Sequence, residues 1–532
     1  MNPSRRCLIG PELELQGSQN RNIAWRRFSP RSLCIVSVIA GLWCLFGSLN
    51  GVCGQNVENV RLLPMGGMRG TEVSIELPGK YEKWPVGFWG EPAQIQWIAT
   101  EVPGKITAKI PMDAELGVHY LRIHSPESVS PLMRFVVGDI PEVTEVEPND
   151  GFEKPQVVTP LPMCINGVLQ KSGDVDHYQV RLMAGEILQA TLDASRSLAS
   201  PMDGCLELVD QRGNVLAQNL DTLGLDPRLV FGARVEGIYS LRVYAFPEAP
   251  DSTIGYAGGD KYQYRLRCSV RSANDASANP AATDDLVAGF SQGAQWIAEP
   301  SGREMPSSLT STAGPLVAVH GVFETSRDED VLLWQTSEPG FWKVTAKALS
   351  LGSPVDPVIE VLDAEGKSLA KQGESGEVID PSLSGQMKQP GIYRIAVRDL
   401  HGGFGPEHRY RLEIVQEYPV VRGTVGNDVL VGKPDKAIEI EVTLERTHGC
   451  DGEATVRMVG LPANYVCEPV VSKMKEESEK KVTLKVVAVQ AGEQGVWSGP
   501  VGVEIQTTGR DLSEKVIATG TKQSWMWLRI AP

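Results

Sequence analysis

The segments Glu145-Val-Glu-Pro-Asn-Asp150 and Gly173-Asp-Val-Asp-His-Tyr178 frame the entrance to one β-rich region of this sequence. In the first segment, side chains of alternate residues share one face of an extended chain, and Pro148 favours an extended conformation at Glu147. Oxygen donors that need no cysteine or histidine are typical of calcium, which takes about 6–8 oxygen ligands, whereas zinc prefers about four nitrogen or sulfur ligands. The alternative is a solvated acidic linker, which is what most charge runs are.

The region between residues 141 and 270 contains further short motifs in a fixed order. They are Ala184-Gly185, Ser200-Pro-Met-Asp203, Leu206-Glu-Leu-Val-Asp210 with Gly213, Asp226-Pro227 and Gly237-Ile-Tyr239. Together with the two acidic segments, this ordered set resembles the bacterial pre-peptidase C-terminal (PPC) domain. The resemblance implies a jelly-roll-like β-sandwich, and collagen-binding relatives of that family hold calcium with an acidic linker and an Asp-rich turn. It therefore implies a structural calcium ion, whose candidate ligands are Glu145, Glu147, Asn149, Asp150, Asp174 and Asp176.

Residues 313–416 repeat the motifs of this domain at a nearly constant offset. The matching motifs are Ser353-Pro-Val-Asp356, Val361-Leu-Asp363 with Gly366, Asp380-Pro381, Gly391-Ile-Tyr393 and Tyr410-Arg-Leu412. The repeat predicts an internal duplication and a second PPC-like domain. Its Asp-rich turn is kept as Asp328 and Asp330, but the upstream segment reads Glu299-Pro-Ser-Gly302, and Ile297 replaces Glu145. We therefore expect one good metal site and one lost or weak site.

Two further β-rich regions, residues 55–140 and 417–532, flank the PPC-like pair. Thr71-Glu-Val-Ser-Ile-Glu-Leu77 and Ala437-Ile-Glu-Ile-Glu-Val-Thr-Leu444 alternate as half-buried strands do. The first region resembles an IPT/TIG-type immunoglobulin-like fold, and the last suits an immunoglobulin-like sandwich. Residues 271–312, rich in Ala, Ser, Asn, Gly and Pro, are typical of a linker. The sequence thus predicts an all-β protein of tandem β-sandwiches, with jelly-roll-like PPC domains flanked by immunoglobulin-like domains.

Residues 1–54 are typical of an export signal with a long arginine-containing front. The apolar run at residues 33–49 is close to the roughly 17–25 residues that span a bilayer, so an uncleaved anchor is the alternative, and only that anchor would attach the chain to a membrane. Either interpretation predicts a secreted, cell-surface or periplasmic protein. Removing six Arg and two Glu with this segment changes the net charge from −15 to −19. Such an acidic chain offers no basic surface for nucleic acid.

Cysteine is sparse beyond the export segment, which contains four of the nine cysteines. An oxidising compartment permits disulfides, but an odd number leaves at least one thiol unpaired. Cys450 and Cys467 lie in one predicted domain and are the favoured pair. The other three, for which simple buried thiols are the alternative, are Cys164, Cys205 and Cys268.

Motifs for common catalytic chemistry are missing: the sequence contains no H-E-x-x-H, phosphate-binding P-loop or Rossmann pattern. Gly289-Phe-Ser-Gln-Gly293 matches a hydrolase elbow by letter, but the pattern around it lacks the strand and helix that such an elbow needs. We therefore predict a non-catalytic secreted protein that mediates extracellular binding or spacing, with a protein or polysaccharide ligand and a calcium-stabilised PPC-like domain. The alternatives are an accessory or cryptic component of a secreted peptidase or hydrolase system, and a passive surface spacer.

Overall fold

β-Strands dominate the described part of the chain, which contains two short helices, α1 (Ser195–Leu198) and a 3-10 helix (Glu477–Glu479). The computed structural model describes residues 61–79, 81, 84–125, 128–220, 225–247, 255–272, 316–348, 353–373, 380–405, 408–434, 436–489, 496–509 and 513–531, and the backbone of 295–298 and 309–310. The predicted export signal and the segment 289–293 lie outside these residues. Neither helix of the described part has the length and apolar character needed to cross a bilayer. The prediction of an all-β fold is confirmed.

Module 1 (residues 61–140) packs a four-stranded sheet, in the order β1-β7-β6-β3, against a three-stranded sheet, in the order β2-β5-β4. Between the sheets lies a core that includes Ile75, Ile106, Leu121 and Phe135. The strands are β1 (Gly66–Met68), β2 (Glu72–Glu76), β3 (Gly87–Glu91), β4 (Gln96–Ala99), β5 (Lys105–Lys109), β6 (Gly117–His124) and β7 (Met133–Gly138).

Module 2 (residues 141–272) is a sandwich of two five-stranded sheets. The front sheet has the order β15-β12-β17-β10-β8, and the back sheet has the order β14-β13-β16-β11-β9. Alternate residues such as Tyr178, Leu206 and Leu266 point into one shared core. The strands are β8 (Glu142–Thr144), β9 (Gln156–Val157), β10 (Met163–Val168), β11 (Asp176–Leu182), β12 (Glu186–Asp193), β13 (Met202–Val209), β14 (Val215–Asn219), β15 (Arg228–Gly232), β16 (Gly237–Pro247) and β17 (Gln263–Ser272).

Module 3 (residues 295–417) has the same strand order as module 2, with each strand number raised by ten. Local features recur as well: Tyr239 Oη donates to Val235 O at 2.7 Å, and Tyr393 Oη donates to Gln389 O at 2.8 Å. The common topology is the structural counterpart of the motif repeat. The strands are β18 (Gln295–Ala298), β19 (Leu309–Thr310), β20 (Leu316–Val322), β21 (Glu329–Thr336), β22 (Gly340–Lys347), β23 (Pro357–Leu362), β24 (Ser368–Gln372), β25 (Ser382–Met387), β26 (Gly391–Asp399) and β27 (Arg409–Glu417).

Module 4 (residues 421–531) has one sheet in the order β32-β34-β30-β28-β37 and another in the order β29-β38-β35-β31-β33, with β36 paired to β35. Along β30, buried and exposed residues alternate strictly up to Glu445, because one face covers the core. The strands are β28 (Val421–Val425), β29 (Val429–Gly432), β30 (Ile438–Arg446), β31 (Ala454–Val459), β32 (Tyr465–Cys467), β33 (Val470–Ser472), β34 (Lys481–Ala488), β35 (Trp497–Thr507), β36 (Ser513–Lys515), β37 (Ile517–Ala518) and β38 (Trp525–Ile530).

The predicted disulfide between Cys450 and Cys467 is wrong, because both residues are free thiols. Cys450 is buried in the core of module 4, shortly before β31 of one sheet. Cys467 ends β32 at the edge of the other sheet, and its thiol contacts the carbonyl oxygen of Glu468 at 3.7 Å. The remaining cysteines of the described residues, Cys164, Cys205 and Cys268, are also free and buried.

Modules 1 and 4 contact each other although they lie at opposite ends of the described chain. The ring of Trp527 packs against His124, with centroids 4.8 Å apart, and against Trp89, with centroids 6.3 Å apart. Arg122, which is 2 % exposed, forms an ion pair with Asp428. We call this contact the clasp.

Candidate metal centre

The segment that carries most of the candidate ligands crosses from one sheet of module 2 to the other. It begins after β8 at the edge of the front sheet and ends at β9 at the edge of the back sheet. Glu145 N–H donates to Asn166 O at 2.9 Å, and His177 N–H donates to Asn149 O at 3.1 Å. The backbone of the segment is therefore fixed to both sheets at the end of the sandwich where β11 begins.

Four carboxylates meet at this crossing. One oxygen of each of Glu147, Asp150, Asp174 and Asp176 lies within 4.8 Å of the others. Asp174 and Asp176 are 1 % and 0 % exposed, whereas Glu147 is half-buried and Asp150 is exposed. The cluster therefore has a buried base in β11 and its preceding turn, and a rim that reaches solvent.

Neighbouring donors hold some of these oxygens and leave others without a partner. Asp174 Oδ2 accepts from Gln170 N–H at 2.5 Å, and Asp176 Oδ2 accepts from the Tyr264 hydroxyl. Asp174 Oδ1 is buried and has no hydrogen-bond partner. At the rim, Lys171 Nζ donates to Asp150 Oδ2 at 3.0 Å. One exposed lysine compensates only part of the charge of four adjacent carboxylates.

Asn149 places its carboxamide among these carboxylates and is 1 % exposed. Its side-chain oxygen faces acceptors, and turning the amide over would place its nitrogen 3.1 Å from both Glu147 Oε2 and Asp176 Oδ1. An oxygen in this position suits a shared cation, whereas a nitrogen suits the metal-free protein because it donates to both carboxylates. In the metal-free protein Asn149 therefore donates to two carboxylates of the cluster, and only a turned amide would offer its oxygen to a cation.

Glu145 differs from the other carboxylate candidates because it lies outside the group of four. Its Oε2 accepts from Val168 N–H at 2.6 Å, and its Oε1 is buried without a partner. The side chain therefore fixes β10 to the crossing segment, and one oxygen remains free. The structure thus places Glu145 beside the cluster instead of among the mutually adjacent oxygens.

Burial and mutual repulsion shift the titration of these groups. Burial, followed by repulsion from Asp176, raises the pKa of Glu145 to about 9. Burial also raises the pKa of Asp176 to about 8 and the pKa of Asp174 above its ordinary value. The hydrogen bond from Lys171 lowers the pKa of Asp150. These raised pKa values place protons on Glu145 and Asp176 at neutral pH in the metal-free protein, and a bound cation would displace those protons.

The donor chemistry fits calcium. Four carboxylates each provide at least one hard oxygen, a turned Asn149 amide would add a fifth, and bidentate carboxylates or water would complete the roughly 6–8 oxygens that calcium takes. Cysteine thiolates and imidazoles, which zinc prefers, do not belong to the group. The buried unpartnered oxygens of Asp174 and Glu145 give an independent sign that the residues fit a cation.

Module 3 keeps part of this arrangement. Asp328 Oδ2 accepts from Glu324 N–H at 2.9 Å, as Asp174 Oδ2 accepts from Gln170 N–H in module 2. Within the described residues, the carboxylate group that could hold a metal is the one in module 2. The upstream segment 299–302 lies outside the described residues, so a lost or weak second site stays a prediction.

Two tyrosines at the base of the cluster contact the candidate ligands, and the sequence reasoning did not predict these contacts. Tyr264 is fully buried, donates to Asp176, and its hydroxyl oxygen lies 2.5 Å from that of Tyr178. A signal was present, because Tyr264 opens the Tyr-Arg-Leu motif that recurs at Tyr410. That motif predicted a repeated strand without indicating what the hydroxyl group contacts.

Comparison with known proteins finds no matching family model and no matching curated protein. Among solved structures, the chain is similar to the pre-peptidase C-terminal domain of a collagenase from Bacillus anthracis, at 11 % identity over 24 % of this chain and 98 % of that chain, with a TM-score of 0.15. It is also similar to fibronectin(III)-like modules of Clostridium thermocellum CbhA, at 13 % identity over 34 % and 78 % of the two chains, with a TM-score of 0.13. The D0-D1 domain of intimin matches at 8 % identity over 40 % and 96 %, with a TM-score of 0.15.

Proposed function

We propose that this chain is an extracellular, non-catalytic binding protein in which a structural calcium ion fixes the junction between modules 1 and 2. The observation that carries the proposal is the group of four carboxylates within 4.8 Å, two of them buried. Buried carboxylates this close repel one another unless a proton or a cation is present.

The position of the cluster in the chain supports a role at the junction. β7 ends module 1 at Gly138, β8 follows at Glu142, and the first ligand of the group is Glu147. An ion shared between this segment and the turn before β11 would connect the entry of module 2 to its interior strand. The ion would lower the mobility of the segment and its susceptibility to proteolysis.

One ion pair on the same junction supports a fixed orientation of the two modules. Arg267 Nη1 of β17 lies 3.0 Å from Asp139 Oδ1 of module 1, and within module 2 the 7 % exposed Arg265 pairs with Glu142 of β8. The backbone between the modules is therefore held from the front sheet as well as from the metal cluster. A calcium ion would add a second point of attachment to a connection that already has one.

Thermal unfolding of the unit Gly54–Pro532, with chelator and then with calcium added, tests the proposal. A ligand that binds only the folded state adds RT ln(1+[L]/Kd), about 2.7 kcal/mol at a hundredfold excess over Kd. We expect a melting temperature that rises with calcium concentration in the wild type. The rise should vanish in the double variant Asp174→Asn, Asp176→Asn.

The matched control changes the equivalent pair in module 3, Asp328→Asn with Asp330→Asn, which should keep the calcium response. Limited proteolysis provides the second measurement, because calcium should protect residues 138–150 from cleavage. An unchanged melting temperature together with unchanged cleavage would refute the calcium-fixed junction.

A further inference from the structure

The outward face of the back sheet of module 2 contains a pocket beside the metal cluster. In β11 and β16, residues that face the core alternate with outward residues that include Gln179 and Ser240. The chain that follows the metal ligands passes over this face, and Phe152 packs edge-on against His177 with ring centroids 6.3 Å apart. The resulting pocket is open to solvent on one side and has a volume of about 290 Å³, and its lining includes Phe152, Pro155, Gln179, Ile238 and Ser240.

A polar side chain at this pocket is buried without a partner. Ser240 is 5 % exposed, and its Oγ has no hydrogen-bond partner. Close by, His177 is 6 % exposed and its Nδ1 also has no partner. Buried polar groups are normally satisfied, so an unsatisfied hydroxyl at a pocket points to a ligand that supplies the missing hydrogen bond.

The chemistry of the lining restricts the ligand. Phe152 and Ile238 are partly exposed apolar groups, whereas Ser240 and Gln179 offer neutral donors and acceptors. The lining contains no lysine or arginine that would hold an anion. Two carboxylates belong to the lining, and both disfavour an anion. Asp210 already accepts from two backbone N–H groups and from the Asn214 side chain, so it is a poor partner for a cation. Glu153 is exposed, so solvent and salt screen its attraction for a cation.

A ring with an apolar C–H face and several hydroxyl groups satisfies these conditions. The volume of about 290 Å³ lies just below the roughly 300–1,000 Å³ typical of ligand pockets, which suits one ring better than a long chain. We propose that this pocket binds one neutral sugar ring of a polysaccharide, with the ring against Phe152 and its hydroxyls bonded to Ser240 and Gln179. The inference rests on the proposed binding function and names its ligand class.

The pocket and the metal cluster share one segment. Asn149 and Asp150 belong to the cluster, and Phe152 and Pro155 belong to the pocket wall. An ion that fixes the start of the segment would also position the wall. We therefore expect sugar binding to be tighter in calcium than in chelator.

Module 3 provides a matched control, because the motif Gly391-Ile-Tyr393 places Arg394 where module 2 has Ser240. Arg394 is exposed, whereas Ser240 is buried. The substitution Arg394→Ala should leave sugar binding unchanged. Ser240→Arg would fill the pocket of module 2 with the residue found in module 3.

The experiment measures binding of neutral hexasaccharides to the unit Gly54–Pro532 by calorimetry and by saturation-transfer NMR. The probes are β-1,4-linked glucose, β-1,4-linked N-acetylglucosamine and α-linked mannose hexamers, with an oligolysine peptide of similar length as the comparison. We expect at least one sugar to bind, and Phe152→Ala and Gln179→Ala each to weaken that binding at least tenfold. Both residues are partly exposed, so these variants should fold, and their melting temperatures check this.

Failure of all three sugars to bind at millimolar concentration would overturn the inference, as would oligolysine binding that Phe152→Ala abolishes. A calcium-dependent melting temperature without sugar binding would refute the pocket assignment alone. Sugar binding that is sensitive to Phe152→Ala but equal in calcium and chelator would support the pocket and refute its link to the metal.

Discussion

The substitution Gly167→Ala in β10 should destabilise module 2 and weaken calcium binding at the same time. An added Cβ would lie 2.3 Å from Cζ of Tyr264 and 2.6 Å from Glu145 Oε2, whereas ordinary contacts begin at 3.4 Å. The Tyr264 ring would have to retreat by about 1 Å. That movement would break its hydrogen bond to Asp176 and its contact with the Tyr178 hydroxyl.

The expected cost follows from these contacts. Overpacking a well-filled core costs about 1–3 kcal/mol. In chelator at neutral pH the Asp176 carboxyl is protonated, so its hydrogen bond with Tyr264 joins neutral groups and contributes about 0.5–1.5 kcal/mol. We therefore expect the free energy of unfolding to fall by about 2–4 kcal/mol in chelator.

Chemical denaturation of the unit Gly54–Pro532 in chelator measures the stability loss, and calcium titration by calorimetry measures the affinity. Gly321→Ala in module 3 is the matched control, because its Cβ would lie 2.2 Å from Cζ of Tyr410. It should cost similar stability in module 3 and leave the calcium affinity unchanged. A Gly167→Ala protein with wild-type calcium affinity would refute the link between Tyr264 and the metal site.

Three further predictions concern pH, the amide ligand and the clasp. Between about pH 4 and pH 8 the metal-free folded state keeps protons on Asp176 and Glu145 that the unfolded chain has lost, so its stability should fall as pH rises. Calcium affinity should rise over the same range, because the ion displaces these protons. Denaturation and calcium titration at pH 5, 6.5 and 8 check both trends, and a pH-independent affinity would contradict the assignment. Asn149→Leu keeps the branched shape of the side chain but removes the oxygen, so the calcium Kd measured by calorimetry should increase about tenfold. This increase corresponds to a loss of about 1.4 kcal/mol of binding free energy. An unchanged Kd would exclude Asn149 as a ligand. Asp428→Asn removes the charge that faces buried Arg122, so the free energy of unfolding measured by denaturation should fall by about 1–3 kcal/mol. The control Glu439→Gln breaks an exposed pair with Lys485 and should change the free energy of unfolding by less than about 1 kcal/mol. Equal effects of the two variants would contradict a buried pair.

The alternation of apolar residues predicted the all-β fold because period-two burial is a local property of each strand. The acidic segments were also visible locally, but their meeting depends on how β8 and β11 enter the two sheets. Alternation along an extended segment places Glu145 on the same face as Glu147, but the Glu145 side chain accepts a hydrogen bond from Val168 N–H instead of joining the cluster. The backbone donor of another strand cannot be read from the spacing of acidic residues.

Long-range pairings were harder to predict. The proposed bond between Cys450 and Cys467 relied on their nearness in sequence, whereas the two residues lie beside different sheets of module 4. The clasp gave no sequence signal, since Arg122 and Asp428 are 306 residues apart and neither belongs to a recurrent motif. Such contacts depend on the relative placement of whole modules, which side-chain periodicity does not encode.

The clasp also has a consequence for the order in which the protein matures. Gln523 of module 4 donates to the Tyr120 hydroxyl at 2.8 Å across a separation of 403 residues. At about 5–20 residues per second, a ribosome needs roughly 20–80 s to add those residues. During that interval Trp527, whose ring packs against Trp89 and His124 in the folded protein, has not yet been added. A nascent chain, or one truncated before β38, would therefore present an aromatic surface to chaperones and to neighbouring polypeptides.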